Sequence, residues 1–83
     1  MQTYRFEFKK QAERFIETRS PELRKRLLEA IFKLPYYGDV KKLKEEKDQY
    51  RLRVGSIRVV FKRQDDVLII IVIKAGNRGD VYK

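Results

Sequence analysis

The stretch from Tyr50 to Ile73, YRLRVGSIRVVFKRQDDVLIIIVI, leaves the chain little choice of fold. Tyr50, Leu52 and Val54 alternate with Arg51 and Arg53, a period of two that puts apolar residues on one face of a strand and guanidinium groups on the other. Gly55-Ser56 is a two-residue turn, and Ile57, Val59 and Phe61 carry the apolar face into a second strand. A hairpin closed on that turn pairs Val54 with Ile57 and sets Arg53 directly opposite Arg58. Asp65-Asp66 marks a second tight turn, after which VLIIIVI reads as a strand covered on both faces and therefore central in its sheet. Three consecutive strands on tight turns make an antiparallel meander.

The first half of the chain supplies the cover for that meander. TYRFEF alternates Tyr4, Phe6 and Phe8 with Arg5 and Glu7, the pattern of a first strand. A helix is expected from about Lys9, with Phe8, Ala12, Phe15 and Ile16 on one face. SPELRKRLLEAIFKLP is the clearer helix: Ser20 caps it, Pro21 suits its first position, and Glu22 complements the positive end of its dipole. Leu23, Leu27, Ala30, Ile31 and Leu34 form its buried stripe, and Pro35 ends it. Residues 35–48 read as a charged connector with Leu43 as its anchor to the core. The order β-α-α-β-β-β predicts a single α+β domain over 1–83, with two N-terminal helices packed on one side of a mostly antiparallel four-stranded sheet.

Composition narrows the chemistry. The chain has no cysteine and no histidine, so it lacks thiolate and imidazole metal ligands and the usual general base; no metal site and no cofactor are expected. Its 83 residues bury roughly 60–65% of the unfolded surface, enough for one modest core and a shallow functional face. The formal net charge of +9 favours polyanionic partners, and the last 34 residues hold eight cations against three carboxylates. MQTYRFEFKK has no apolar core of a secretory signal, and Val67–Ile73 is too short to span a bilayer, so a soluble cytoplasmic protein with no membrane association is expected.

The arginines of the hairpin stand out because no acidic residue lies among them from Tyr50 to Phe61. Like charges opposed across strands are destabilising, whereas a bound phosphate turns the same geometry into an attraction, since guanidinium forks chelate phosphate oxygens. Arg51, Arg53 and Arg58 therefore read as an oxyanion site. The Lys41–Lys47 cluster alternates in sign with Glu45 and Glu46 and reads as a solvated loop, with Lys41, Lys42 and Lys44 as candidate RNA-backbone contacts. Arg78 sits between Gly76 and Gly79, which let backbone approach a ligand closely. Tyr82 on spacing alone is a packed ring or part of a frayed tail, Tyr36 and Tyr37 read as loop packing rather than base platforms, and Asp65-Asp66 as a turn rather than a metal site.

YRLRVGSIRVVF, followed by an apolar strand and KAGNRGDVY, resembles the RelE/ParE superfamily of bacterial and archaeal toxins, and the likeness extends over nearly the whole chain, through the first strand, the helical hairpin, KKLKE and the terminal G-x-R-x-x-V-Y. The resemblance implies the toxin of a toxin-antitoxin pair, monomeric by itself and neutralised by a RelB-like antitoxin. In the RelE-like branch it implies a metal-independent endoribonuclease that cuts messenger RNA in the ribosomal A site. The alternative is a ParE-like inhibitor of DNA gyrase that cuts nothing. Carried across from the RelE pattern, Arg51 and Arg53 hold and polarise the RNA backbone, Arg58 stabilises the scissile phosphate, Arg78 lies near the leaving group, and Tyr82 beside the attacking hydroxyl. Three positions depart from that pattern: arginine replaces the frequent lysine at 51 and 53, which keeps the charge but excludes a role as base, and Asn77 stands where many relatives carry histidine or lysine.

Overall fold

The computed structural model of the chain describes residues 2–44 and 47–77. Its elements run β1 (Arg5–Phe8), α1 (Lys10–Glu17), α2 (Pro21–Phe32), β2 (Asp39–Lys42), β3 (Gln49–Val54), β4 (Ile57–Gln64) and β5 (Ile69–Asn77). The sheet order is β1-β5-β4-β3-β2, with β1 parallel to β5 and every other pair antiparallel. The α+β class and the two-helix cover are as the patterning predicts, but the described sheet has five strands rather than four. The addition is β2, within the supposed solvated connector. DVKK has one apolar residue and no strand-like alternation, yet the outer backbone groups of β3 need partners, and a short charged strand suits an exposed edge. Val40, not Leu43, is its contact with the core. Gly38 admits the turn into β2: its φ is +121°, and a Cβ there would stand 2.8 Å from Leu52 Cδ1.

The hairpin closes as its sequence dictates, with Val54 paired to Ile57, Arg53 to Arg58, and Gly55 at φ +61°. The strand buried on both faces is β4, where Ile57 to Phe61 are all buried; β5 buries Ile70 and Val72 but leaves Ile69, Ile71 and Ile73 half-covered. The expectation for VLIIIVI thus falls one strand away, because β4 occupies the sheet's centre. Between β4 and β5 the register slips: Val60 pairs with Lys74 and Phe61 with Val72, leaving Ile73 as an extra residue. This bulge lets Ile70 and Val72 share the core face with Ala75, while Lys74 and Gly76 turn to the opposite face.

Helix α2 starts as its sequence signals predict, with Ser20 Oγ accepting from the Leu23 amide at 3.3 Å and Pro21 in the first turn. It ends at Phe32; the Lys33 and Leu34 amides then bond Ala30 and Ile31, a tighter turn that suits a residue before Pro35. Leu34 remains buried, but from the turn rather than the helix. Phe8 likewise belongs to β1 rather than to the face of α1, and its ring lies edge-on to Phe32 at 6.3 Å. Ala12 and Ile16 of α1 and Leu27 and Ile31 of α2 close the core against Leu52, Val59, Phe61, Ile70 and Val72. No helix among the described residues is long and apolar enough to cross a membrane.

Asp65, in the turn after β4, accepts from Arg63 Nε at 2.7 Å and from the Tyr4 hydroxyl at 2.9 Å. The Arg63 bond, reinforced by that of Tyr4, holds the Asp65 carboxyl below its ordinary range. A depressed folded-state value means a stabilisation present above the unfolded carboxylate range, near pH 4, and lost as pH falls through the folded value. Thermal melts between pH 6 and pH 2.5 should therefore show a steeper acid loss for the parent chain than for Asp65→Asn. Parallel acid limbs would remove Asp65 from the account.

Candidate nucleic-acid interface

The pairing register writes out the face of the sheet that turns away from the helices. Residues directly opposite in adjacent strands share a face, so one row across the sheet reads Asp39, Arg53, Arg58, Gly76 and the next Lys41, Arg51, Val60, Lys74. Five cations and one carboxylate occupy these two rows. Three of the cations are the hairpin arginines read from the sequence, Lys41 is joined to them by β2, and Lys74 is brought in by the bulge. Lys74 escaped sequence reading because a lysine at the end of an apolar run looks like a strand terminus; the sign is its being the only charge in that strand.

Arg58 is 9% exposed and Val60 beside it 2%, so the middle of this face is covered, while Asp39, Lys41 and Arg53 toward its edge are exposed. Arg58 owes that burial to its place on the central strand. Its Nη1 is buried and has no hydrogen-bond partner among the described residues, and the same holds for Nη1 of Arg51. Arg51 Nη1 approaches a carboxylate, Asp39 Oδ1 at 3.6 Å, a pairing that the acid-free sequence of the hairpin does not foretell because Asp39 arrives on β2. At that separation the two make an ion pair but no hydrogen bond. An unpaired buried charged donor is costly, and an incoming anionic oxygen relieves that cost.

These two guanidinium groups open into a shallow depression of about 310 Å³ lined by Lys41, Lys42, Leu43, Lys44, Arg51 and Arg58. Five of these six described lining residues are cationic and the sixth is apolar. The three lysines named from the connector and two of the three hairpin arginines therefore share one cavity. Arg53 stands opposite Arg58 in the ladder, yet it lines a different depression, toward α2. Arg78 and Tyr82 lie outside the described residues. Asn77 is exposed at the end of β5, opposite Ile57.

The depression can hold an anion against a fixed, partly desolvated cationic wall. The sheet supplies most of that wall: Arg51 and Arg58 stand on strands whose other face is locked in the core, Lys41 and Lys42 come from β2, and Lys44 follows it. The same fold recurs in solved structures. The chain is similar to a chain of the archaeal RelE-RelB complex from Pyrococcus horikoshii OT3, with 29% identity, 95% of this chain and 99% of that chain covered, and a TM-score of 0.79. The chain has the RelE fold. A chain of the RelB-RelE antitoxin-toxin complex from Methanococcus jannaschii matches this RelE-like chain at 26% identity, over 92% of it and 94% of the other, with a TM-score of 0.73. The isolated E. coli RelE toxin matches at 22% identity, 96% and 92% coverage and a TM-score of 0.76, a likeness of fold. No protein-family profile and no curated protein sequence matches. The RelE likeness read from YRLRVGSIRVVF thus stands on the whole architecture as well as on the motif.

Proposed function

We propose that this RelE-like chain is the toxin of a toxin-antitoxin pair and a ribosome-dependent endoribonuclease. The observation that carries the reading is the buried Nη1 of Arg58, unpartnered beside that of Arg51 in a depression walled by lysines. A phosphodiester seated there gives both guanidinium groups the oxygen acceptors that they lack among the described residues. Cleavage then follows from positioning: the ribose 2′-hydroxyl attacks its own phosphorus in line, the bond to the 5′-oxygen breaks, and a cyclic phosphate and a free 5′-hydroxyl result. Charge accumulates on the non-bridging oxygens of the phosphorane, where Arg58 stabilises it. Arg51, Lys41, Lys42 and Lys44 hold the flanking backbone, and Arg78 and Tyr82 act near the leaving and attacking oxygens. With no histidine in the chain, messenger RNA bound in the ribosomal A site supplies part of the in-line geometry.

The RelE-RelB complexes among the similar structures support a RelB-like antitoxin as the partner. An acidic, partly disordered antitoxin that folds as it binds matches the charge of this face. The test is to incubate the chain with programmed ribosomes and map message ends: cuts within the A-site codon are expected, no cut in a message carrying a 2′-deoxy sugar at the scissile position, and unaltered supercoiling by DNA gyrase. Intact message at high molar excess of folded protein would overturn the nuclease, and loss of supercoiling would move the chain to the ParE-like reading.

A further inference from the structure

At the hairpin end of the cationic face Arg53 lines a second depression, of about 390 Å³, between α2 and β3. Its lining includes Arg26, Glu29 and Lys33 from α2, Tyr37 from the turn after it, and Arg53 and Gly55 from the hairpin. The guanidinium of Arg26 lies over that hairpin tip, with Nη2 3.6 Å from where a Cβ on Gly55 would stand. Arg26, Lys33 and Arg53 have no ion pair among the described residues, and Glu29 is the one acid in the lining. Tyr37 is 59% exposed, contrary to the expectation of a packed loop residue; its neighbour Tyr36 does pack, donating to the Gln2 carbonyl at 2.8 Å and meeting Tyr4 edge-on.

We infer that this second depression is a subsite for single-stranded RNA flanking the linkage held at Arg58, an inference that rests on the nuclease reading. Arg53 is the joint between the two sites: it pairs with Arg58 across the ladder and lines the depression that holds Arg26 and Lys33. A strand leaving the Arg51–Arg58 cavity meets Arg53, then Arg26 over the hairpin tip and Lys33 elsewhere in the same lining. Arg26 and Lys33 each take a phosphate there, and the open ring of Tyr37 takes a base by stacking, which needs no particular sequence. The two depressions together favour an oligonucleotide over a single linkage.

The test compares binding of a dinucleotide and a hexanucleotide RNA, both 2′-O-methylated to prevent cleavage, by fluorescence anisotropy across a salt series. Arg26→Ala with Lys33→Ala should weaken the hexanucleotide about tenfold and lower the magnitude of its salt slope by roughly 1.4, the value for two phosphate contacts on a single strand. Tyr37→Ala should also weaken it about tenfold, with Tyr37→Phe restoring binding because the stacking face is kept. Dinucleotide binding should stay at the parental level in all of these variants. Unchanged hexanucleotide affinity and salt slope in the double variant, with binding still lost in Arg51→Ala/Arg58→Ala, would overturn the subsite and leave the first site standing. Binding indifferent to both pairs would overturn the two readings together. Melting temperatures within a few degrees of the parent establish that each variant is folded.

Discussion

Arg58→Leu is expected to lower message cleavage by about 100-fold or more while leaving the melting temperature unchanged or higher. The activity loss follows from removing a buried guanidinium at the centre of the cationic face whose Nη1 has no hydrogen-bond partner among the described residues. The stability gain follows from the same facts. Without a ligand, Arg58 stands on a central strand opposite Arg53, with a desolvated donor that finds no acceptor among the described residues. A buried charged donor left without an acceptor costs stability, and an apolar side chain in its place removes that cost. Leucine also removes the like-charge contact with Arg53. Single-turnover cleavage on programmed ribosomes measures the first effect and a thermal melt the second. A melting temperature about 10 °C below the parent would mark Arg58 as a structural residue and the activity loss as a consequence of misfolding. Arg58→Lys should fall between parent and leucine variant, since it keeps the charge and loses the fork.

A large loss of stability is expected at Gln11, a polar residue outside the core and outside the cationic face. Strand β1 leaves the sheet after Phe8, the Lys9 amide making its last bond to Val72, and this exposes the edge of β5 beyond that point. Gln11 fills the gap from the first turn of α1: its amide nitrogen donates to the Ala75 carbonyl, and its amide oxygen accepts from the Ala75 amide, both at 2.8 Å. The side chain thus stands in for the missing strand residue. Ala75 is 2% exposed, so Gln11→Leu leaves a buried donor and a buried acceptor unpaired while keeping the packing. About 2 kcal/mol is the expected cost, since Gln11 itself is exposed and admits some water; for a domain of this size that lowers the melting temperature by roughly 8–16 °C. Ala75 adjoins Gly76, which faces Arg58, so cleavage by the variant at a temperature where it is folded should fall as well. A melt within 2 °C of the parent would show that water replaces the Gln11 bonds without loss.

Much of this was legible in local pattern. The alternation in TYRFEF and YRLRV, the Gly55-Ser56 turn and the Ser20-Pro21-Glu22 helix start each place their elements, because strand faces, tight turns and caps are decided by residues close in sequence. The pairing of Arg53 with Arg58 belongs to the same class, since one turn determines it. Strand β2, the Asp39–Arg51 approach, Gln11 on Ala75 and Arg26 over Gly55 do not, because each joins residues distant in the chain whose own surroundings carry no periodic signal.

By itself the sequence determined that this chain would present guanidinium groups along one side of an antiparallel hairpin, since a period of two admits no other outcome once the apolar side is buried. Only the tertiary structure decided how deeply those groups sit and what joins them. Strand order put Arg58 at the sheet's centre, an edge strand carried Lys41 and Asp39 to Arg51, and one extra residue at Ile73 turned Lys74 from the core side to the cationic side. The reason is physical: a side chain's direction is set by its own backbone, but its desolvation is set by the elements packed around it, and those are chosen by the whole core.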